Sequence, residues 1–213
     1  MLYKIFSKVI ANRLKKILPD IISEQQSAFT KNRLIYDNIL VAFETLHSMN
    51  VHKSTKSGYM AVKLDMSKAY DRVEWIFLER VMRKLGFNEM WINLMMVCVK
   101  TIPYSVLVNG EPKGLIRPTW GIRQGDPLSP FLFLLCTEGL DSLISKVETE
   151  GAIHGFGLSR RSSKLTHLLF ADDSLLFCRF NRSECQKMLE ILVQYESLSE
   201  QQINKGENYH LFL

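Results

Sequence analysis

HLLFADDSLLF, residues 167–177, sets Asp172 and Asp173 side by side between two apolar runs, Leu168–Phe170 and Leu175–Phe177. Adjacent carboxylates repel, yet flanks this apolar belong in a core. Taken alone, the stretch predicts a β-hairpin with the acids at its turn, where Asp side chains cap local backbone groups. A second acid in a matching setting changes that reading. In YMAVKLDMSKAYDRV (59–73), a short apolar strand from Tyr59 to Leu64 delivers Asp65 at its C-terminal end. If the two strands are neighbours, Asp65 and Asp172 converge with Asp173 beside them. Three carboxylates stay ionised in a small space only when a cation neutralises them. Hard oxygen donors select Mg²⁺, and two such ions about 4 Å apart suit in-line phosphoryl transfer.

The rest of the chain sets bounds on this reading. At 213 residues and 46% hydrophobic it can bury a substantial core in one or two units. Cys98, Cys136, Cys178 and Cys185 form no CxxC pair and no His lies at zinc-like spacing from them, so an intracellular, reducing setting in cytoplasm or nucleus is expected. The sequence has no signal peptide and no apolar run long enough to span a bilayer, so no membrane partner is expected. Residues 1–58 hold nine Lys/Arg against four acids, and the remaining 155 residues balance at eighteen each. The whole net charge of +5 therefore falls in the first quarter, either as a solvated basic face or as a grip on a polyanion.

Periodicity predicts helices over Leu2–Leu18, stopped by Pro19, and over a segment with Ile39, Leu40, Phe43 and Leu46 in register. SEQQSAFTKNRLIYDN (23–38) reads as loop, and VHKSTKSG (51–58) as the internal boundary. Further helices are expected over Lys68–Lys84, ended by Gly86, and over Glu89–Lys100. Residues 104–118 form a hairpin turning at Asn109-Gly110. GIRQGDPLSP (121–130) is a loop leading into a helix to about Val147, with Asp126 as N-cap and Pro127 at the first helical position. Asn181, with Glu184 three on, caps a helix whose core face holds Met188, Leu192 and Tyr195. A short strand, HLFL, closes the chain. The pattern is an α+β fold, an antiparallel sheet with helices on one face.

Two further features suit a nucleotide. Tyr70 offers a planar wall for a sugar, against the alternative of an ordinary core aromatic. Arg123, Gln124 and Gly125 offer a cation, hydrogen bonds and close backbone approach, against the alternative of a plain helix entry. A metal-dependent phosphohydrolase ranks lower, because it lacks an obvious water-activating His or Glu near these acids.

In order, LYKIFSKVIANRLKKILPDIISEQQSAF, RLIYDNILVAFE, VKLDMSKAYDRVEW, LVNGEPKGLIRPTWGIRQGDPLSPFLF and HLLFADDSLLF resemble the reverse transcriptase domain of plant-type non-LTR (LINE-type) retrotransposons over nearly the whole chain. The resemblance implies a single right-hand polymerase domain, with a partial, basic, helical fingers region at 1–58 and a ferredoxin- or RRM-like palm at 59–213 that carries interleaved fingers and palm elements, the hairpin at about 104–118 among them. It implies RNA-directed DNA synthesis from dNTPs on an RNA template and DNA primer, with two Mg²⁺ ions, or Mn²⁺, on Asp65, Asp172 and Asp173. It assigns Tyr70 to the sugar 2′-position, Gln124 and Gly125 to the incoming nucleotide and template, and Arg33 to the triphosphate. Asp71 and Glu74 are read as structural acids on a helix face.

Departures from the family pattern are Lys31-Asn32-Arg33 in place of Pro-Gly-Arg, Glu200 in place of glycine, and Glu207 in place of a lysine suited to protonating pyrophosphate. Lys205 is close by in sequence. The thumb, endonuclease and RNase H regions are expected to be absent from this chain. A catalytically dead remnant that only binds nucleic acid is the alternative reading.

Overall fold

A computed structural model describes residues 2–51, 58–101, 103–158, 164–204 and 211–212. Lys205, Glu207 and most of the 51–58 connector lie outside these residues. The elements run α1 (Leu2–Ile21), α2 (Ile35–Val51), β1 (Tyr59–Asp65), α3 (Trp75–Lys84), α4 (Glu89–Lys100), β2 (Tyr104–Val108), β3 (Glu111–Ile116), α5 (Ser129–Thr149), β4 (His167–Phe170), β5 (Asp173–Arg179), α6 (Arg182–Ser199) and β6 (Leu211–Phe212). Among the described residues no helix is long and apolar enough to cross a membrane.

The central sheet has the order β4-β5-β1-β6, with every neighbouring pair antiparallel. Successive side chains on a strand point to opposite faces, and β1 uses both. Met60, Val62 and Leu64 enter the large core formed with α1 and α3 to α6, whereas Ala61 joins a smaller cluster with Met49 of α2, Phe156, Leu168 and Phe177. Most helices therefore lie on one face, as expected, and α2 covers part of the other. Residues Leu132 to Glu138 of α5 are all buried, which places this helix at the centre of the large core. Within the first quarter, Ile10, Leu14, Leu18, Ile22 and Ala28 join that same cluster.

Four expectations need correction. Pro19 does not stop α1, which runs to Ile21. The Arg33 guanidinium donates to the carbonyls of Pro19, Ile22, Ser23 and Gln26, capping the helix end from a distance. The helix expected from Lys68 starts only at Trp75, with Glu74 as its N-cap accepting from the Ile76 N–H. Carbonyls that a longer helix would use are taken by the next loop: Gly121 N–H donates to Val73 and Ile122 N–H to Tyr70, each at 2.8 Å. Asp71 and Glu74 therefore do not lie on a helix face.

Likewise, α5 begins at Ser129, with Pro130 in its first turn, so Asp126 and Pro127 precede the helix. Asp126 still caps locally, accepting from Leu128 N–H at 2.9 Å, but it also accepts from Ser7 Oγ of α1 at 2.5 Å. Finally, the apolar register of α2 does not mark a core face: Ile39, Leu40 and Phe43 are exposed. On α1 the core stripe is Ile10, Leu14 and Leu18, while Ile5, Phe6, Val9 and Ile17 are exposed. Both hairpins form as expected, with Asn109 at φ 49° and Gly110 at φ 83° in the turn of the first.

Candidate functional site

The carboxylate-bearing rim is built by register. Asp65, the last residue of β1, stands directly opposite Asp173, the first residue of β5. Directly opposed residues in an antiparallel pair hold their Cβ atoms about 4.5–5.5 Å apart. Asp172 precedes Asp173 in the turn, and its carbonyl accepts from Met66 N–H at 3.2 Å, carrying the ladder one residue further. The other side of Asp65 is tied down as well: its carbonyl accepts from Asn204 N–H at 3.0 Å, and its carboxylate from Asn204 Nδ2 at 3.4 Å. The three acids thus stand on a hydrogen-bonded frame.

Like charges directly opposite one another destabilise a sheet. Here Lys63, two residues before Asp65 on the same face of β1, places Nζ 3.2 Å from Asp173 Oδ1. Among the described residues, no three acidic, histidine or cysteine side chains are already gathered closely enough to hold one ion. The donors are nonetheless hard carboxylate oxygens at an open rim, the kind Mg²⁺ takes. Asp172 and Asp173 are exposed and Asp65 half-buried. In kind the acids suit the ion, but they are not gathered about one point, and Lys63 engages Asp173.

Tyr70 lies beside this rim, stacked on Phe133 with ring centroids 5.2 Å apart. Burial, and then the nearby Asp172 charge, push its phenol above the usual range. The loop bearing Arg123, Gln124 and Gly125 is anchored on both sides, by the Gly121 and Ile122 bonds to the Tyr70 turn and by buried Asp126. Gly121 is needed for that approach, because a Cβ there would lie 2.7 Å from the Asp71 carbonyl oxygen. Between the anchors, Arg123, Gln124 and Gly125 are exposed, with Gly125 at φ 77°. Arg33 is placed differently: its guanidinium faces the carbonyls at the end of α1. Asn32 takes φ 64°, the left-handed geometry that Asn tolerates. Glu200 also sits at a left-handed position, φ 57°, as the C-cap of α6, where glycine would carry no steric cost.

Three supporting residues had no signal of their own in the sequence. Fully buried Gln26, within a segment read only as loop, uses Oε1 to accept from Ala171 N–H at 3.2 Å and Ala28 N–H at 2.9 Å. It thereby holds the ADD turn, in which Ala171 adopts φ 52°. Asn38 Nδ2 donates to the Leu169 and Gln25 carbonyls, both at 3.1 Å. Fully buried His167 lies 2.8 Å by Nε2 from Asp141 Oδ1, and 3.0 Å by Nδ1 from Thr166 Oγ1. Nearby, burial pushes the Glu138 carboxyl up to about 7, with Asp141's charge raising it further.

A 68-residue stretch, 32% of this chain, is 50% identical to an uncharacterized mitochondrial protein of Arabidopsis thaliana, of which it covers 56%. Over 131 residues, 61% of the chain, it is 31% identical to a retrovirus-related Pol polyprotein from the type-1 retrotransposable element R2 of Popillia japonica, covering 20% of that protein. The chain thus spans about half of the first relative's length and a fifth of the second's. Telomerase from Candida albicans, solved in complex with a fragment of telomeric RNA, shares the fold at TM-score 0.60 and 15% identity, over 95% of this chain and 33% of that one. The palm-and-fingers polymerase fold and the retrotransposon resemblance read from the motifs both hold. Residues 1–206 match the family of reverse transcriptases (RNA-dependent DNA polymerases), and the chain belongs to that family.

Proposed function

We infer that this chain carries part of the fingers (1–58) and the palm with interleaved fingers elements (59–213) of an RNA-directed DNA polymerase, which adds dNTPs to a DNA primer 3′-OH on an RNA template. The observation that carries this reading is the β1–β5 register, which sets Asp65 opposite Asp173 with Asp172 adjoining. Asp65, Asp172 and Asp173 would hold two Mg²⁺ ions. When bound, such ions stabilise the attacking and leaving oxygens of an in-line displacement. Phosphoryl transfer asks little more of a protein than placement and charge, and the remaining residues supply placement. Tyr70, fixed against Phe133, offers its ring to the sugar. Arg123, Gln124 and Gly125, exposed between two anchors, face the nucleotide and template. Arg33 acts indirectly, by fixing the loop that follows α1.

Primer extension on an RNA template with Mg²⁺ tests this. Wild type should extend, and Asp172→Asn/Asp173→Asn should lose about a thousandfold in rate, roughly 4 kcal/mol of barrier, with its melting temperature unchanged. Equal extension by the two proteins defeats the reading.

A second reading has its own observation. Lys4, Lys8, Arg13, Lys15 and Lys16 of α1 are all exposed, the footprint of a module that binds nucleic acid without catalysis. Salt-sensitive RNA binding in the absence of any extension would favour it.

A further inference from the structure

The geometry points to Lys63 as a built-in counter-ion of the acid rim, competing with the divalent cation for Asp173. This rests on the metal-binding reading of Asp65, Asp172 and Asp173. The ammonium of Lys63 lies 3.2 Å from Asp173 Oδ1, on the one carboxylate that stands directly across from Asp65. Lys63 itself faces Leu175 in the ladder, so it reaches diagonally, past its own cross-strand partner, to meet the acid. The pair borders a groove of about 420 Å³ beneath α2, whose remaining walls include Ile35, Ile39, Ala42 and Leu175, with Asp173 its acidic lining residue.

Two opposed carboxylates on neighbouring strands repel, and a cation beside them eases that repulsion when no metal is bound. Lys63 supplies one from within β1. The pair is half-exposed, 48% for the lysine and 51% for the aspartate, so water screens it and it yields to a stronger ligand. A fully buried pair would hold Asp173 away from metal altogether. Exposed as it is, the contact trades places: Asp173 leaves the ammonium when a divalent ion arrives and returns when it departs. The cost appears as weakened metal affinity, and the gain as a rim that stays folded without metal.

Titrating the full chain calorimetrically with MgCl₂ alone, without nucleotide or primer, tests this. Lys63→Met should bind Mg²⁺ about three- to fivefold more tightly than wild type, the size expected for releasing one exposed ion pair. Lys63→Arg, which keeps the charge, should bind as wild type does. Affinity that is unchanged or lower in Lys63→Met overturns the inference, since Lys63 would then be idle or would be orienting Asp173 for the metal. An Asp65→Asn/Asp172→Asn variant separates the two levels. Mg²⁺ binding that survives it defeats the site reading itself, and this inference with it; binding that it abolishes leaves Lys63 to be judged on its own two variants.

Discussion

The two faces of β1 make opposite uses of neighbouring residues. Leu64 is fully buried against the helices, whereas Lys63 and Asp65, one position either side of it, stand on the face that α2 leaves open at its end. One face is continuous and apolar. The other begins apolar, at Ala61 and Phe177 beneath α2, and ends in Lys63, Asp65 and Asp173. Burial that holds the sheet and charges that would hold a metal are thus interleaved on one strand, separated only by the alternation of side chains. A one-residue slip in the β1–β5 register would exchange the two. The register therefore determines stability and site together.

The sharpest way to break the comparison is to damage the helix-facing side. Leu64→Ala should cost about 3 kcal/mol in urea unfolding, from lost transfer energy and the cavity left behind. If the two faces are independent once folded, Mg²⁺ affinity measured well below the unfolding midpoint should not change. A matching loss of affinity would mean that the acids sense core packing directly.

A smaller effect tests whether the rim depends on the loop behind it. Gln26→Ala removes the acceptor for the Ala171 and Ala28 N–H groups, and leaving buried donors unpaired costs about 2 kcal/mol. Because the left-handed Ala171 turn carries Asp172, this variant should lower Mg²⁺ affinity as well as stability. Gln26→Glu, which keeps the acceptor, should recover part of both. Loss of stability alone would make Gln26 a core residue only.

A test that changes no residue is pH. Glu138, facing Ser23, Arg33 and Asp141, has a folded-state pKa of about 7 against the ordinary carboxyl value of 4.5. Between those values the folded chain keeps a proton that the unfolded chain releases, so stability should fall as pH rises from about 4.5 to 7. The slope from one group is at most about 1.4 kcal/mol per pH unit. Glu138→Gln should flatten that part of a stability-against-pH curve while leaving the open face unaffected. A curve with unchanged slope would remove Glu138 as its source.

Much of this was legible in the residues. Alternation and turn chemistry placed the 167–177 hairpin, its neighbour strand and the Asn109-Gly110 turn, and Asn181 with Glu184 marked the start of α6, where Asn181 accepts from Glu184 N–H at 2.9 Å. What local pattern could not reveal were partners far away in the chain. Pro19 looked like a stop because its cap, Arg33, lies fourteen residues on and acts through space. Tyr70 looked helical because the loop at 121–122 that takes its carbonyl is about fifty residues away. Lys63 drew no reading in the sequence; the register brings Asp173 diagonally across from it.

By itself, the sequence determined most element types, the two acid-bearing segments and the family, since each rests on side-chain periodicity, turn preference or ordered motifs; that the two strands are neighbours came from the sheet. The tertiary structure alone decided which cations and carbonyls are already engaged. Hydrogen bonds and ion pairs are satisfied by proximity in space, and proximity comes only with the packed sheet. Arg33 closing a helix, Gln26 holding a turn and Lys63 neutralising an acid all belong to that second kind.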